Sequence, residues 1–145
     1  MEYWLEKAAE LLPEFEEMIT ERRTIPGPMN LWIDLYNALV DAYEASPRND
    51  DLIGRIYDFA AWCLNQPSAP DSDATSDLSS AVAVAFIEDL PLNRKVAQDL
   101  HRWMSFESFQ GFESLFHCHL SIKEYDEFRR DFAAGKNSSN PAPRI

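Results

Sequence analysis

The chain has 145 residues with 25 Asp and Glu against 13 Lys and Arg, a formal net charge of −12 and a pI near 4.5. That length suits one domain burying roughly two-thirds of its unfolded surface, and a content of 46% hydrophobic and 12% aromatic residues excludes a disordered chain. So acidic a composition argues against nucleic acid as a partner, because phosphate binding draws its affinity from Lys and Arg, and no stretch approaches the ~18 consecutive apolar residues of a membrane span.

The acids are unevenly placed. Residues 1 to 77 hold 16 acidic against 5 basic side chains, whereas residues 78 to 145 hold 9 against 8. Folding does not require such an asymmetry, and a one-sided field chiefly steers what the surface meets, so the implied partner is basic. The start, Met1 to Glu6, has no basic stretch followed by an apolar run, which argues against a secretory signal. Cys63 and Cys118, the two cysteines, both lie in apolar segments and suit free thiols in a reducing compartment. Together these features predict a cytoplasmic protein.

In chain order, Trp4, Ala8, Leu11, Leu12, Phe15, Met18 and Ile19 share one face at about 100° per residue, with Glu2, Glu6, Glu10, Glu14, Glu17 and Glu21 opposite. This predicts an amphipathic helix ending by Thr24, with a kink or short break near Leu12 because Pro13 removes one backbone hydrogen bond. Ile25 to Pro28 breaks the pattern. Leu31, Trp32, Leu35, Tyr36, Leu39, Val40 and Tyr43 then form the apolar stripe of a second helix over 29–45, with Asp34, Asn37, Asp41 and Glu44 on its other side. After a Ser46 to Asn49 turn, Asn49 or Asp50 caps a third helix reaching about Asn65, in which Gly54 costs about 1 kcal/mol relative to Ala and implies a close helix approach. Gln66 to Ser76 reads as a solvated loop.

Residues 77 to 90 are alanine-rich and apolar nearly all round, and with no second strand candidate to pair with they read as a central helix. Pro91 suits the first turn of a fifth helix carrying Leu92, Val96, Leu100 and Trp103. Ser105 starts a phenylalanine-rich helix, and Ser121 with Glu124 makes a capping box for the last one, ending near Ala134 with Gly135 just beyond it. The resulting expectation is an all-α, single-domain bundle of about seven helices over 1–134, with 135–145 a flexible tail; pairing of the helices as in a short solenoid remains open.

Chemistry has few footholds. His117, Cys118 and His119, with His101 or Cys63, contain zinc-ligand types, but three adjacent residues cannot all face one ion from a regular helix, and the paired spacings of structural zinc sites are missing. The bland alternative is a helix end with one buried thiol. A Cys-His nucleophile needs a proximity and an activating environment that spacing cannot supply. Four glycines and no glycine-rich loop remove nucleotide signatures, and no cofactor is expected. Asp58, Glu88 and Asp89 are embedded in apolar sequence, for which an ion pair or cap is the common outcome. Of the tryptophans, Trp62 lies to the side of its stripe and is expected to rim a groove with Tyr57.

Arg55 to Leu64, followed by Phe86 to Pro91 and Trp103-Met104-Ser105, resembles a family of small uncharacterised bacterial helical proteins over roughly residues 10 to 133. The resemblance brings no catalytic residues. It implies a role like that of immunity-type partners in toxin systems, in which a small acidic protein blocks a basic toxin domain. The expected function is therefore non-enzymatic docking of a basic protein, with Glu6, Glu10, Glu17, Asp34, Asp41 and Glu44 as the steering surface and Tyr57 and Trp62 as contacts. The alternatives are a metal-binding protein or hydrolase using His101, His117 and His119, or a small-ligand-binding helical domain.

Overall fold

The computed structural model describes residues 3–21, 27–67, 77–137 and 142–145. Glu2 of the acid stripe, the stretch 22–26, most of the 66–76 loop and positions 138–141 lie outside the described residues. The fold is an all-α single-domain bundle, with nine α-helices and no strand among the described residues. Two of the expected seven helices are each split into a pair.

The first split is at proline. α1 (Tyr3–Leu11) stops at Leu12, whose φ of −129° and ψ of 60° leave the helical region, and a 3-10 turn over Pro13–Phe15 leads into α2 (Glu16–Glu21). Leu12 and Ile19 are both buried, so the apolar face continues through the break. Arg55 clasps this joint from α4 (Asp50–Leu64): its Nη1 donates to the Leu11 carbonyl at 2.9 Å, and its two terminal nitrogens hold the Glu14 carboxylate at 2.5 and 2.7 Å. A cation there satisfies a carbonyl that the helix end leaves open. The same hydrogen bonding holds the Glu14 carboxyl below its ordinary range.

α3 (Pro28–Glu44) buries Leu31, Trp32, Leu35 and Leu39, and α4 begins where the Asn49 side chain accepts from the Leu52 N–H at 3.2 Å. α5 (Leu78–Ala85), capped by Asp77, packs against both α3 and α4 and is the central element its alanine-rich sequence implies, but it ends at Ala85 rather than near 90, because Phe86, at φ −129° and ψ −63°, leaves the helical region. Trp32 links the three, stacking on Phe59 of α4 at 5.1 Å and meeting Phe86 at 4.8 Å.

Pro91 does not open an α-helix. It lies inside a 3-10 segment (Ile87–Leu92), and α6 (Arg94–Asp99) starts only where the Asn93 side chain accepts from the Val96 N–H at 3.1 Å. A side-chain cap fixes a helix start more firmly than a permissive proline does. A further 3-10 turn, Leu100–Arg102, leads to Trp103. α7 (Phe106–Gly111), capped by Ser105, and α8 (Glu113–Phe116) are separated at Phe112, and α9 (Ile122–Lys136) opens with the complete Ser121–Glu124 capping box.

The end of the chain differs from expectation. Gly135 is within α9, and a Cβ there would overlap the His101 ring, so glycine permits the close approach of the last helix to the Leu100–Arg102 turn. Residues 142–145, expected in a flexible tail, are docked. The Arg144 and Ile145 N–H groups donate to the Trp103 carbonyl at 2.8 and 3.1 Å, and Ser105 N–H donates to the Ile145 carbonyl at 2.7 Å. Arg144 pairs with Asp58 at 2.8 Å and lies over the Trp103 ring. Gly54 sits beneath the same ring, where a Cβ would come within 3.3 Å of it.

Candidate functional site

The steering residues separate into paired and unpaired acids. Glu6, Glu17 and Asp41 are exposed and form no ion pair with another described residue, whereas Glu10 pairs with Lys7 at 3.3 Å and Glu44 with Lys95 at 3.0 Å. Asp34 is half-buried. Glu6, Glu10 and Glu17 stand on the outer side of α1 and α2, and Asp41 and Glu44 on the last turn of α3.

Tyr57 does not rim a groove. It is fully buried, stacked on Trp103 at 5.6 Å and edge-on to Phe86 at 5.7 Å, because its α4 position falls on the side facing those rings. Burial pushes its hydroxyl upward from the ordinary tyrosine pKa. Among the described residues the hydroxyl has no hydrogen-bond partner. A buried unsatisfied hydroxyl is a liability, so Tyr57→Phe is expected to leave stability unchanged or raise it by up to about 1 kcal/mol. Urea unfolding checks this, and a clear loss would mean that the hydroxyl is bonded. Trp62 is half-buried, with its ring near Phe59 and edge-on to the exposed Tyr3 at 5.6 Å.

The histidine and cysteine candidates are dispersed. His119 Nε2 lies 3.1 Å from a carboxylate oxygen of both Glu88 and Asp89, so these two acids in apolar sequence share one local polar partner. His117 faces the Tyr125 ring at 4.5 Å with its Nδ1 3.4 Å from the Leu120 carbonyl, and His101 packs on Gly135. Among the described residues no group of three His, Cys, Asp or Glu side chains is placed to hold a metal ion. Cys118, expected as a buried thiol, is exposed because the chain around it is turning out of α8. Cys63 is the buried one, its thiol pushed up to about 12 by burial, which leaves almost no thiolate near neutral pH.

The most organised polar cluster is one the sequence reading passed over. Asp99, only 9% exposed, accepts from the Tyr43 hydroxyl at 2.6 Å and the Trp103 indole N–H at 3.1 Å, both on Oδ2. Arg102 approaches both of its oxygens at 3.2 and 3.3 Å and also reaches Asp50 at 3.4 Å, which Arg48 holds at 2.8 Å. Burial and the neighbouring Tyr57 and Asp99 push the Tyr43 hydroxyl above its ordinary pKa. The signal was present: Asp99 follows Val96 by three residues and precedes Trp103 by four, placing a carboxylate on an apolar stripe. Beside it opens a pocket of about 340 Å³ lined by Tyr43, Arg48, Lys95, Gln98 and Asp99. Its two cations are already engaged, Arg48 by Asp50 and Lys95 by Glu44. The cluster therefore acts as an internal tie between α3, α4 and α6.

A second opening lies between the Ile87–Leu92 segment with α6 on one side and α9 on the other. This groove, of about 360 Å³, is lined by Pro91, Leu92, Arg94, Ala97, Gln98, Leu120, Glu124, Glu127, Phe128 and Asp131. No helix among the described residues is long and apolar enough to cross a membrane. No family model, curated protein or solved structure matches the chain, so its site residues stand on their own geometry.

Proposed function

We propose that this chain is a non-enzymatic interaction module that docks a basic protein partner, in the manner of an immunity-type protein covering a cationic domain. The observation that carries the reading is the set of exposed carboxylates at Glu6, Glu17 and Asp41 that form no ion pair with another described residue. An acid neutralised within its own surface contributes little field, whereas an unneutralised one draws in opposite charge before contact. Cys63 is closed off, and Asp99, although it lines a pocket, has both oxygens engaged by Tyr43, Trp103 and Arg102, which supports a binding role over a catalytic one.

The test begins with affinity capture from the native cell, followed by association kinetics with the captured partner at varied salt. Association is expected to slow by roughly tenfold or more from low salt to physiological salt. A combined Glu6→Lys, Glu10→Lys and Glu17→Lys variant should slow it further while leaving dissociation nearly unchanged. A rate indifferent to salt and to these substitutions would sink the reading.

A further inference from the structure

We infer that the groove between α6 and α9 is an anchoring site for a basic amphipathic helix, presenting an aliphatic side chain flanked by Lys or Arg. The inference rests on the reading that the partner is basic, and it moves the anchoring contact away from the acid face of α1 and α2. The groove has an apolar floor. Leu92 is 54% exposed in it, an unusual degree for a leucine between two packed elements, and Ala97, Leu120 and Phe128 complete that surface. One wall is acidic: Glu124, Glu127 and Asp131 recur at i, i+3 and i+7 along α9 and so share a face. At about 1.5 Å per residue this wall runs for roughly 10 Å, the length of two turns of a docked helix.

Charge complementarity fixes the occupant. Three carboxylates line the groove against one cation, Arg94, and neither Glu127 nor Asp131 forms an ion pair with another described residue. Glu124 also lines the groove, with one oxygen committed to its capping box, receiving the Ser121 N–H. Of the other cations on α9, Lys123, Arg129 and Lys136 do not line the groove, and Arg130 is turned back onto its own helix, donating to the Asp126 carbonyl at 3.3 Å. An acidic ligand would meet like charge along one whole wall. A purely apolar one would leave those carboxylates partly desolvated without partners. A helix with an aliphatic anchor and basic flanks satisfies both the floor and the wall, the ordinary mode of helix-in-groove recognition. The volume is at the lower end of the ~300–1,000 Å³ of small-molecule sites and fits an anchor side chain better than a whole ligand.

The probe is a synthetic Leu/Lys amphipathic helix of about 15 residues, titrated into the isotope-labelled full chain while amide shifts are followed. Two control peptides carry Glu for Lys, or Ser for Leu. Binding by the Leu/Lys peptide alone, with shifts centred on Leu92, Ala97, Leu120 and Glu127, supports the site. A Glu127→Lys, Asp131→Lys variant and a Leu92→Ser variant should each weaken it by roughly tenfold. These side chains are exposed, so an unchanged thermal melt confirms that the variants remain folded. Shifts confined to α1 and α2, equal binding of the Ser peptide, or no binding of any basic peptide would overturn the groove. The salt and charge-reversal kinetics with the captured partner decide the broader docking reading separately.

Discussion

Replacing Asp99 with alanine is expected to lower stability by about 2–4 kcal/mol, because it strands two buried donors at about 1–3 kcal/mol each. Those donors are the Tyr43 hydroxyl and the Trp103 indole N–H, both of which end on Asp99 Oδ2. Arg102 and Arg48 add less, since their side chains are 25% and 41% exposed and turn to water when the carboxylate is gone. The corresponding fall in Tm is roughly 5–15 °C for a domain of this size. Asp99→Asn should fall in between, keeping one acceptor oxygen but presenting an amide N–H₂ to Arg102. Urea unfolding of the three proteins checks the order. A midpoint for Asp99→Ala within error of the wild type would mean that the cluster is ornamental.

Phe109→Ala should cost more, about 3–5 kcal/mol, in line with other buried Phe-to-Ala truncations. Phe109 is fully buried and is the centre of the aromatic group built by α7, α8 and α9: its ring lies 4.1 Å from Phe132, 5.1 Å from Phe128, 5.2 Å from Phe116 and 6.1 Å from Tyr125. α7 and α8, of 6 and 4 residues, have few backbone hydrogen bonds of their own, so their positions depend on that packing. Phe109→Leu, which preserves most of the volume, should cost under about 1.5 kcal/mol, and Glu107→Ala, at an exposed neighbour, should stay within about 0.5 kcal/mol. Calorimetry or urea unfolding resolves differences of this size. Equal losses for Phe109→Ala and Phe109→Leu would refute the volume argument.

Features governed by local chemistry were legible in the sequence. The break at Pro13 and the caps at Asn49, Ser105 and Ser121 each depend on a side chain and the backbone within three or four residues, and all are where the pattern places them. The apolar period likewise identified α3, α4 and the central α5. What the pattern could not give was decided by distant contacts. Gly135 reads as a helix stop until His101 is seen against it, and the chain end reads as a tail until Trp103 is seen to receive it. Periodicity placed Tyr57 on α4 but not the two rings that enclose it. The candidate surface was legible as charge, because acids opposite an apolar stripe must face outward. The groove was not, since it joins residues near 92 to residues near 128.

The acid face of α1 and α2 has a consequence for how such a protein changes over time. Glu6 and Glu17 form no described ion pair and stand apart from the Leu5, Ala8, Leu12 and Ile19 contacts that hold these helices down. Substitutions at distant, unconnected sites combine nearly additively. Surface charge and fold are therefore separately inheritable in this segment: a lineage can exchange acids here without placing its own folding at risk.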